Sequence, residues 1–160
     1  MQEKTFNSSF GLQLPVEQVI QTIVSYINEN NLYKYKVIIG TDSERHSDGN
    51  ADFVTAIVVQ RVGKGGRYFW RRHEVQKVAT LRNRMYQEAL MSLEIGKEVL
   101  TLLKKIGATN YDFEIHVDVG ENGATKVMLQ ELVGMVRANN FEVRTKPDSY
   151  AASKVADRHV

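Results

Sequence analysis

Two aspartates stand where strands seldom place them. The run Lys36-Val37-Ile38-Ile39-Gly40-Thr41-Asp42-Ser43 is apolar and β-branched until a carboxylate and a hydroxyl close it. Far downstream, Phe113-Glu114-Ile115-His116-Val117-Asp118-Val119-Gly120 repeats the form. Aspartate is depleted in strands, and a buried carboxylate must be paired, neutralised or metal-bound. If the two strands are adjacent and parallel, they bring two like charges together, and a cation between them relieves the repulsion. The chemistry to expect of such a pair is a divalent metal site.

The elements that must position these groups follow in a readable order. Residues 1–13 show no periodicity and read as irregular. Pro15 suits a first helical turn, and Val16, Val19, Ile20, Ile23, Val24 and Ile27 share one helical face until Asn28 to Asn31 stop it. Strand one covers 36–43, and a polar loop with the turn pair Asp48-Gly49 leads to strand two at 53–62. Gly63-Lys64-Gly65-Gly66 then turns the chain into strand three at 68–78, so the first three strands are antiparallel.

A long helix is predicted over 81–106, ended by Gly107. Leu81, Met85, Ala89, Leu93, Gly96, Val99, Leu100 and Leu103 form its apolar stripe. Glu88 lies within the angular span of that stripe, whereas Glu94 and Glu98 fall opposite, and an acid on a buried face points to function. Strand four (113–119), a helix (123–139), strand five (141–145) and a last helix (149–159) complete the chain. Helices between strands three, four and five imply crossover connections, right-handed where the strands are parallel. The expected fold is α/β, with a mixed five-stranded sheet and helices on both faces. Strands one to three are antiparallel, and strands one, four and five parallel. Residues 1–160 are expected to form a single domain, with 1–35 as an N-terminal helical extension.

Composition narrows the partners. With 160 residues and no cysteine, the chain can bury a sizeable core and has neither disulfides nor a thiolate zinc site. No apolar run approaches the roughly 20 residues that span a bilayer, and no basic-then-apolar leader opens the sequence. A cytoplasmic protein with no membrane partner is expected. Net charge is only +2, but residues 61–84 hold eight Lys/Arg against one acid, leaving the remainder acidic. A basic stretch beside acids suggests an anionic partner near the carboxylates. Lys64, Arg67, Arg71 and Arg72 are its candidate contacts, joined by Lys126 at a helix start and Lys146 after strand five. Tyr68, Phe69 and Trp70 can stack on bases, although strand aromatics more often pack. An exposed edge strand would allow a homodimer.

The order of elements, with an aspartate on strand one, a glutamate on the first inter-strand helix, an aspartate ending strand four and an acid near the last helix, resembles the ribonuclease H-like fold. The runs Ile38-Ile39-Gly40-Thr41-Asp42-Ser43, Phe53-Val54-Thr55-Ala56-Ile57, Gly63-Lys64-Gly65, Ile115-His116-Val117-Asp118-Val119-Gly120 and Lys146-Pro147-Asp148-Ser149-Tyr150-Ala151-Ala152-Ser153 look like the YkuK family of small bacterial ribonuclease H-like proteins. That likeness runs from about Lys36 to the C-terminus and takes in a leading helix. It implies phosphodiester hydrolysis of DNA or RNA by two divalent metals on three or four carboxylates, and oxygen ligands suit Mg2+ or Mn2+.

By that resemblance Asp42, Glu88 and Asp118 match the first-strand, helix and fourth-strand acids. The fourth ligand is open between Asp148, directly after strand five, and Asp157, about 13 Å further along a helix. Asp148 is preferred, with helix capping as its alternative role. His116 alternates with Asp118 and is a candidate catalytic group or support, the alternative being a satisfied core histidine. His46, in the loop after Asp42, is a similar candidate. A non-catalytic module binding nucleic acid or protein is the competing reading. A third arises because residues 118–125 resemble the Asp-x-Gly phosphate loop of actin-like ATPases; those close two domains on a nucleotide, and this chain has room for one.

Overall fold

The computed structural model describes residues 4–160. In chain order the strands are β1 (Thr5–Ser8), β2 (Gln13–Pro15), β3 (Tyr35–Arg45), β4 (Ala51–Arg61), β5 (Gly66–Val75), β6 (Asp112–His116) and β7 (Glu142–Arg144). The helices are α1 (Val16–Glu29), α2 (Leu81–Ile106) and α3 (Leu129–Ala138), the last entered through a 3₁₀ turn, Lys126–Met128. A π-helical stretch, Ala151–Ala156, and a 3₁₀ turn, Asp157–His159, form the C-terminal segment.

One sheet runs in the order β2-β1-β5-β4-β3-β6-β7. The long β-branched runs make its centre: β3 and β4 pair antiparallel from Tyr35 opposite Arg61 to Arg45 opposite Ala51. β5 continues antiparallel on β4, while β6 lies parallel to β3 and β7 parallel to β6. The sheet has seven strands where five are expected from sequence. The additional pair, β1 and β2, is a hairpin that begins in the stretch read as irregular and ends on Pro15, read from sequence as part of a first helical turn; Met1, Gln2 and Glu3 of that stretch lie outside the described residues. Strands of four and three residues are too short to show a period of two. They exist because the edge of β5 offers partners, Asn7 opposite Trp70 and Ser8 opposite Phe69, and because Phe6 is fully buried.

Alternation on the strands divides the core. Ile39, Ile57 and Ile115 face α1, α2 and α3, meeting Ile20, Val99 and Leu132. On the opposite face Ile38, Val54 and Ala56 pack under Ala151 and Ala156 of the C-terminal segment. Helix α2 occupies the predicted span because both ends are capped. Thr80 Oγ1 accepts from the Asn83 N–H at 3.0 Å, and Gly107 takes a left-handed φ of 86°.

At one point the C-terminal segment lies directly on the sheet. A Cβ on Gly40 would stand 2.5 Å from Ala152 N and 2.7 Å from Ala151 C, so only glycine fits there. The edges, β2 and β7, are three residues each, and β2 closes on Pro15, features that blunt strand pairing. Among the described residues no helix is long and apolar enough to cross a membrane.

Candidate active site

Strand alternation on β3 assigns neighbouring side chains to different partners. Thr41 and Ser43 face α2, whereas Gly40 and Asp42 face the C-terminal segment. Thr41 Oγ1 lies 2.7 Å from Ser92 Oγ, and Ser43 Oγ donates to Glu88 Oε2 at 2.5 Å. Two residues along a strand advance about 6.7 Å and four along a helix about 6 Å, so both pairs close together. They dock α2 on β3 and bring Glu88 to the C-terminal end of that strand.

Glu88 is only 3% exposed. Burial pushes its carboxyl well above the usual range and the charges of Asp42 and Asp118 add to this, while the Ser43 hydrogen bond and Arg84 oppose it. Asp42 is raised to about 7, chiefly by burial and then by a hydrogen bond with the Asp157 carboxyl; the charges of Asp118 and Asp157 push the same way and the Ser43 backbone pulls down.

Asp118 lies two residues beyond β6, where the sequence places it inside a strand. The Val119 N–H donates to Val117 O at 2.8 Å, turning the chain at Asp118. Val117 and Val119 are buried, and this tight turn at the strand end sets Asp118 among the acids. Its Oδ1 is buried with no hydrogen-bond partner, and Lys146 Nζ stands 3.6 Å away, beyond hydrogen-bond reach.

Asp42, Glu88, Asp118 and Asp157 are therefore the acids that act on one another. Asp148 is not among them: it is exposed in the turn after β7, its N–H donating to Thr145 O at 2.7 Å, and no side chain caps the C-terminal segment. The expectation of Asp148 measures distance along a helix leading away from strand five. The segment instead folds back across β3 at Gly40, so its far end, with Asp157, reaches Asp42.

His116 is 1% exposed and has both ring nitrogens engaged. Nδ1 accepts the Ala151 N–H at 3.2 Å, which leaves Nε2 to donate to Glu114 Oε1 at 3.0 Å. Burial lowers its pKa, against the opposing pull of Glu114. Lys36 and Arg144 hold the other side of Glu114, at 3.1 and 3.5 Å from Oε2. The ring thus ties the C-terminal segment to β6. His46 is occupied at the surface, 2.9 Å from Asp52.

The basic stretch does not form one patch. Lys64 lies in the β4–β5 turn beyond Arg61, which is itself seven register positions from Asp42, and so more than about 20 Å away along the sheet. Arg61 and Arg67 stand over the Tyr26 ring of α1 at 4.3 and 5.1 Å, and Arg82 pairs with Glu131 of α3 at 2.9 Å. Arg71 lines a cleft beside Ile95 of α2, whereas Arg72, on the other face, donates to the His159 carbonyl. Lys126 begins the 3₁₀ turn before α3, beside Glu121 and Asn122.

Two residues near the acids escape sequence reasoning. Ser43 has the signal of sharing a strand face with Thr41. Arg84 lies one helical turn before Glu88, half-buried, its Nε buried without a partner. The first turn of α2 has no acid, against the preference of a helix N-terminus for negative charge, and that was its readable signal.

The donor set is all oxygen and includes an unpartnered buried acceptor, Asp118 Oδ1, chemistry that suits Mg2+ or Mn2+. Among the described residues no three Asp, Glu or His side chains are gathered tightly enough to form a ready metal cage. The residues fit such an ion in kind, as a loose constellation whose members repel one another.

The ribonuclease H-like family profile matches residues 18–160. The chain belongs to the ribonuclease H-like family. A relative, the uncharacterized protein YkuK of Bacillus subtilis (strain 168), is 30% identical over 157 residues, covering 91% of each chain. No solved structure matches. The ribonuclease H-like match begins within α1, so β1 and β2 lie outside it.

Proposed function

We propose that this ribonuclease H-like protein is a divalent-metal-dependent nuclease that hydrolyses phosphodiester bonds in DNA or RNA. Asp42, Glu88, Asp118 and Asp157 would hold two Mg2+ or Mn2+ ions. The observation that carries the reading is the mutual influence of these four carboxylates, with Asp118 Oδ1 buried and lacking a donor. Bound ions supply an activated water and stabilise the leaving oxygen.

The chain's own part is to position and to balance charge. Ser43 fixes Glu88, the turn at Asp118 presents its carboxylate, and the C-terminal segment brings Asp157 to Asp42. Arg84 and Lys146 are the cations beside these acids and would meet a substrate phosphate. Burial pushes the Glu88 carboxyl well above the usual carboxylate range, and the charges of Asp42 and Asp118 add to this.

The test is isothermal titration of manganese into the protein and into Asp118→Asn, then incubation with labelled single strands, duplexes, hybrids and branched DNA. Binding by the wild type alone, with metal-dependent cleavage of one substrate class, is the expected result. Binding without cleavage would reduce the chain to a metal-holding nucleic-acid module, and no binding by the wild type would overturn the reading.

Location of the cations gives a second test. Lys146→Ala is expected to weaken binding of single-stranded DNA and to make its log-log salt dependence shallower by about 1, while Lys64→Ala leaves both unchanged. Equal effects of the two would mean that nucleic acid does not approach from the acid side.

A further inference from the structure

The last turn of the chain is held from several sides. The His159 ring stacks on Trp70, with centroids 4.2 Å apart and planes 8° from parallel. Its Nε2 lies 3.0 Å from the Tyr68 hydroxyl, and Arg72 donates to its carbonyl. The start of the same segment is anchored separately, by His116 on the Ala151 N–H and by the Tyr150 hydroxyl donating to Gln60 Oε1 at 2.6 Å.

Asp157 lies between these anchors, two residues before His159 in one 3₁₀ turn. The position is unfavourable by itself. Asp157 meets a like charge on Asp42, and the repulsion must be offset by contacts elsewhere in the segment. A stacked ring, a side-chain hydrogen bond and a backbone hydrogen bond on the next residue but one supply them.

We propose that His159 and Trp70 form a latch that positions Asp157 against Asp42, so that the half-buried aromatic face of β5 serves assembly of the acid cluster. Both are positioning residues. Tyr68 and Trp70, which sequence alone makes candidates for base stacking, are covered by the chain's own C-terminus. The proposal rests on the reading of the cluster as a metal site, and its test keeps the two apart.

Manganese is titrated into the wild type, Asp157→Asn, His159→Ala and His159→Phe, and Trp70, the single tryptophan, reports on the latch by its emission. Asp157→Asn and His159→Ala are expected to lose about tenfold or more in affinity, the usual effect of removing a ligand's support. His159→Phe, which keeps the stack, is expected to stay close to the wild type. Trp70 emission should shift to the red in His159→Ala and remain unchanged in Asp157→Asn.

Amide exchange over residues 151–158 gives a readout independent of metal and should accelerate in His159→Ala. Manganese binding at wild-type strength by His159→Ala, with Asp157→Asn impaired, overturns the latch and leaves the metal reading intact. Unchanged affinity in both variants overturns it as well, since Asp157 then holds no metal. Should the wild type bind no manganese, the metal reading fails, and amide exchange decides: unchanged protection in His159→Ala removes the latch, whereas faster exchange retains it as the support of Asp157.

Discussion

Gly40→Ala is expected to lower stability by about 3 kcal/mol, the upper end for overpacking a core, and to weaken manganese binding at the same time. The added Cβ would meet backbone atoms, Ala152 N at 2.5 Å and Ala151 C at 2.7 Å, which cannot rotate away as a side chain can. Relief requires the whole C-terminal segment to lift from β3, loosening the Ala151 bond to His116 and carrying Asp157 off Asp42.

Gly96→Ala is the control. Its Cβ would approach the Ile115 Cδ1 at 2.9 Å, the mobile tip of a side chain, and alanine in a helix interior gains up to about 1 kcal/mol over glycine. That variant should remain within about 1 kcal/mol of wild type in urea unfolding. If Gly40→Ala did the same, the segment would not be seated on Gly40 as described.

Asp42→Asn is expected to be more stable than the wild type in EDTA at pH 8, and this advantage should shrink towards pH 4. The Asp42 carboxyl titrates near 7 in the folded chain, against an ordinary 3.8. Between those values the folded state holds a proton that the unfolded state releases, so wild-type stability falls as pH rises and levels off above about 7. Asparagine has no such proton and lacks that slope.

A fully dry carboxylate shifted this far would account for about 4 kcal/mol, and the partial exposure of Asp42 reduces this by solvent screening to about 1–2 kcal/mol. For a chain of this size each kcal/mol moves the melting temperature by about 2–4 °C. Saturating manganese should reverse the order, since a ligand at a hundred times its Kd stabilises by about 2.7 kcal/mol and the variant lacks a ligand group. Thermal melts across pH, with and without manganese, check both halves. A wild type more stable than Asp42→Asn at pH 8 in EDTA would show that the acids do not repel as described.

The local parts of this protein were legible from its residues. β-Branched runs predict β3 and β4, the glycine-rich turn after them predicts β5, and apolar spacing predicts α2 over the 26 residues it occupies. The same periodicity puts Glu88 on the buried face, because the angle between helix positions depends on nothing outside the helix. The family likeness was legible too, carried by runs that are continuous in sequence.

What lay beyond the sequence depends on where separate elements meet. β1 and β2 are strands because β5 presents an open edge to them. The charge of residues 61–84 is one block in sequence, yet alternation sends Arg71 and Arg72 to opposite faces, and Arg61, Arg67 and Arg82 go to α1 and α3. Asp157 rather than Asp148 stands at Asp42 because a glycine in the middle of β3 lets the last segment cross the sheet at backbone contact. Residue types and periods by themselves pointed to the central strands, α2 and the acids Asp42, Glu88 and Asp118, while the family likeness rests on the quoted runs; only tertiary packing brought Asp157 to them, since its position follows from the path of the backbone after the last strand.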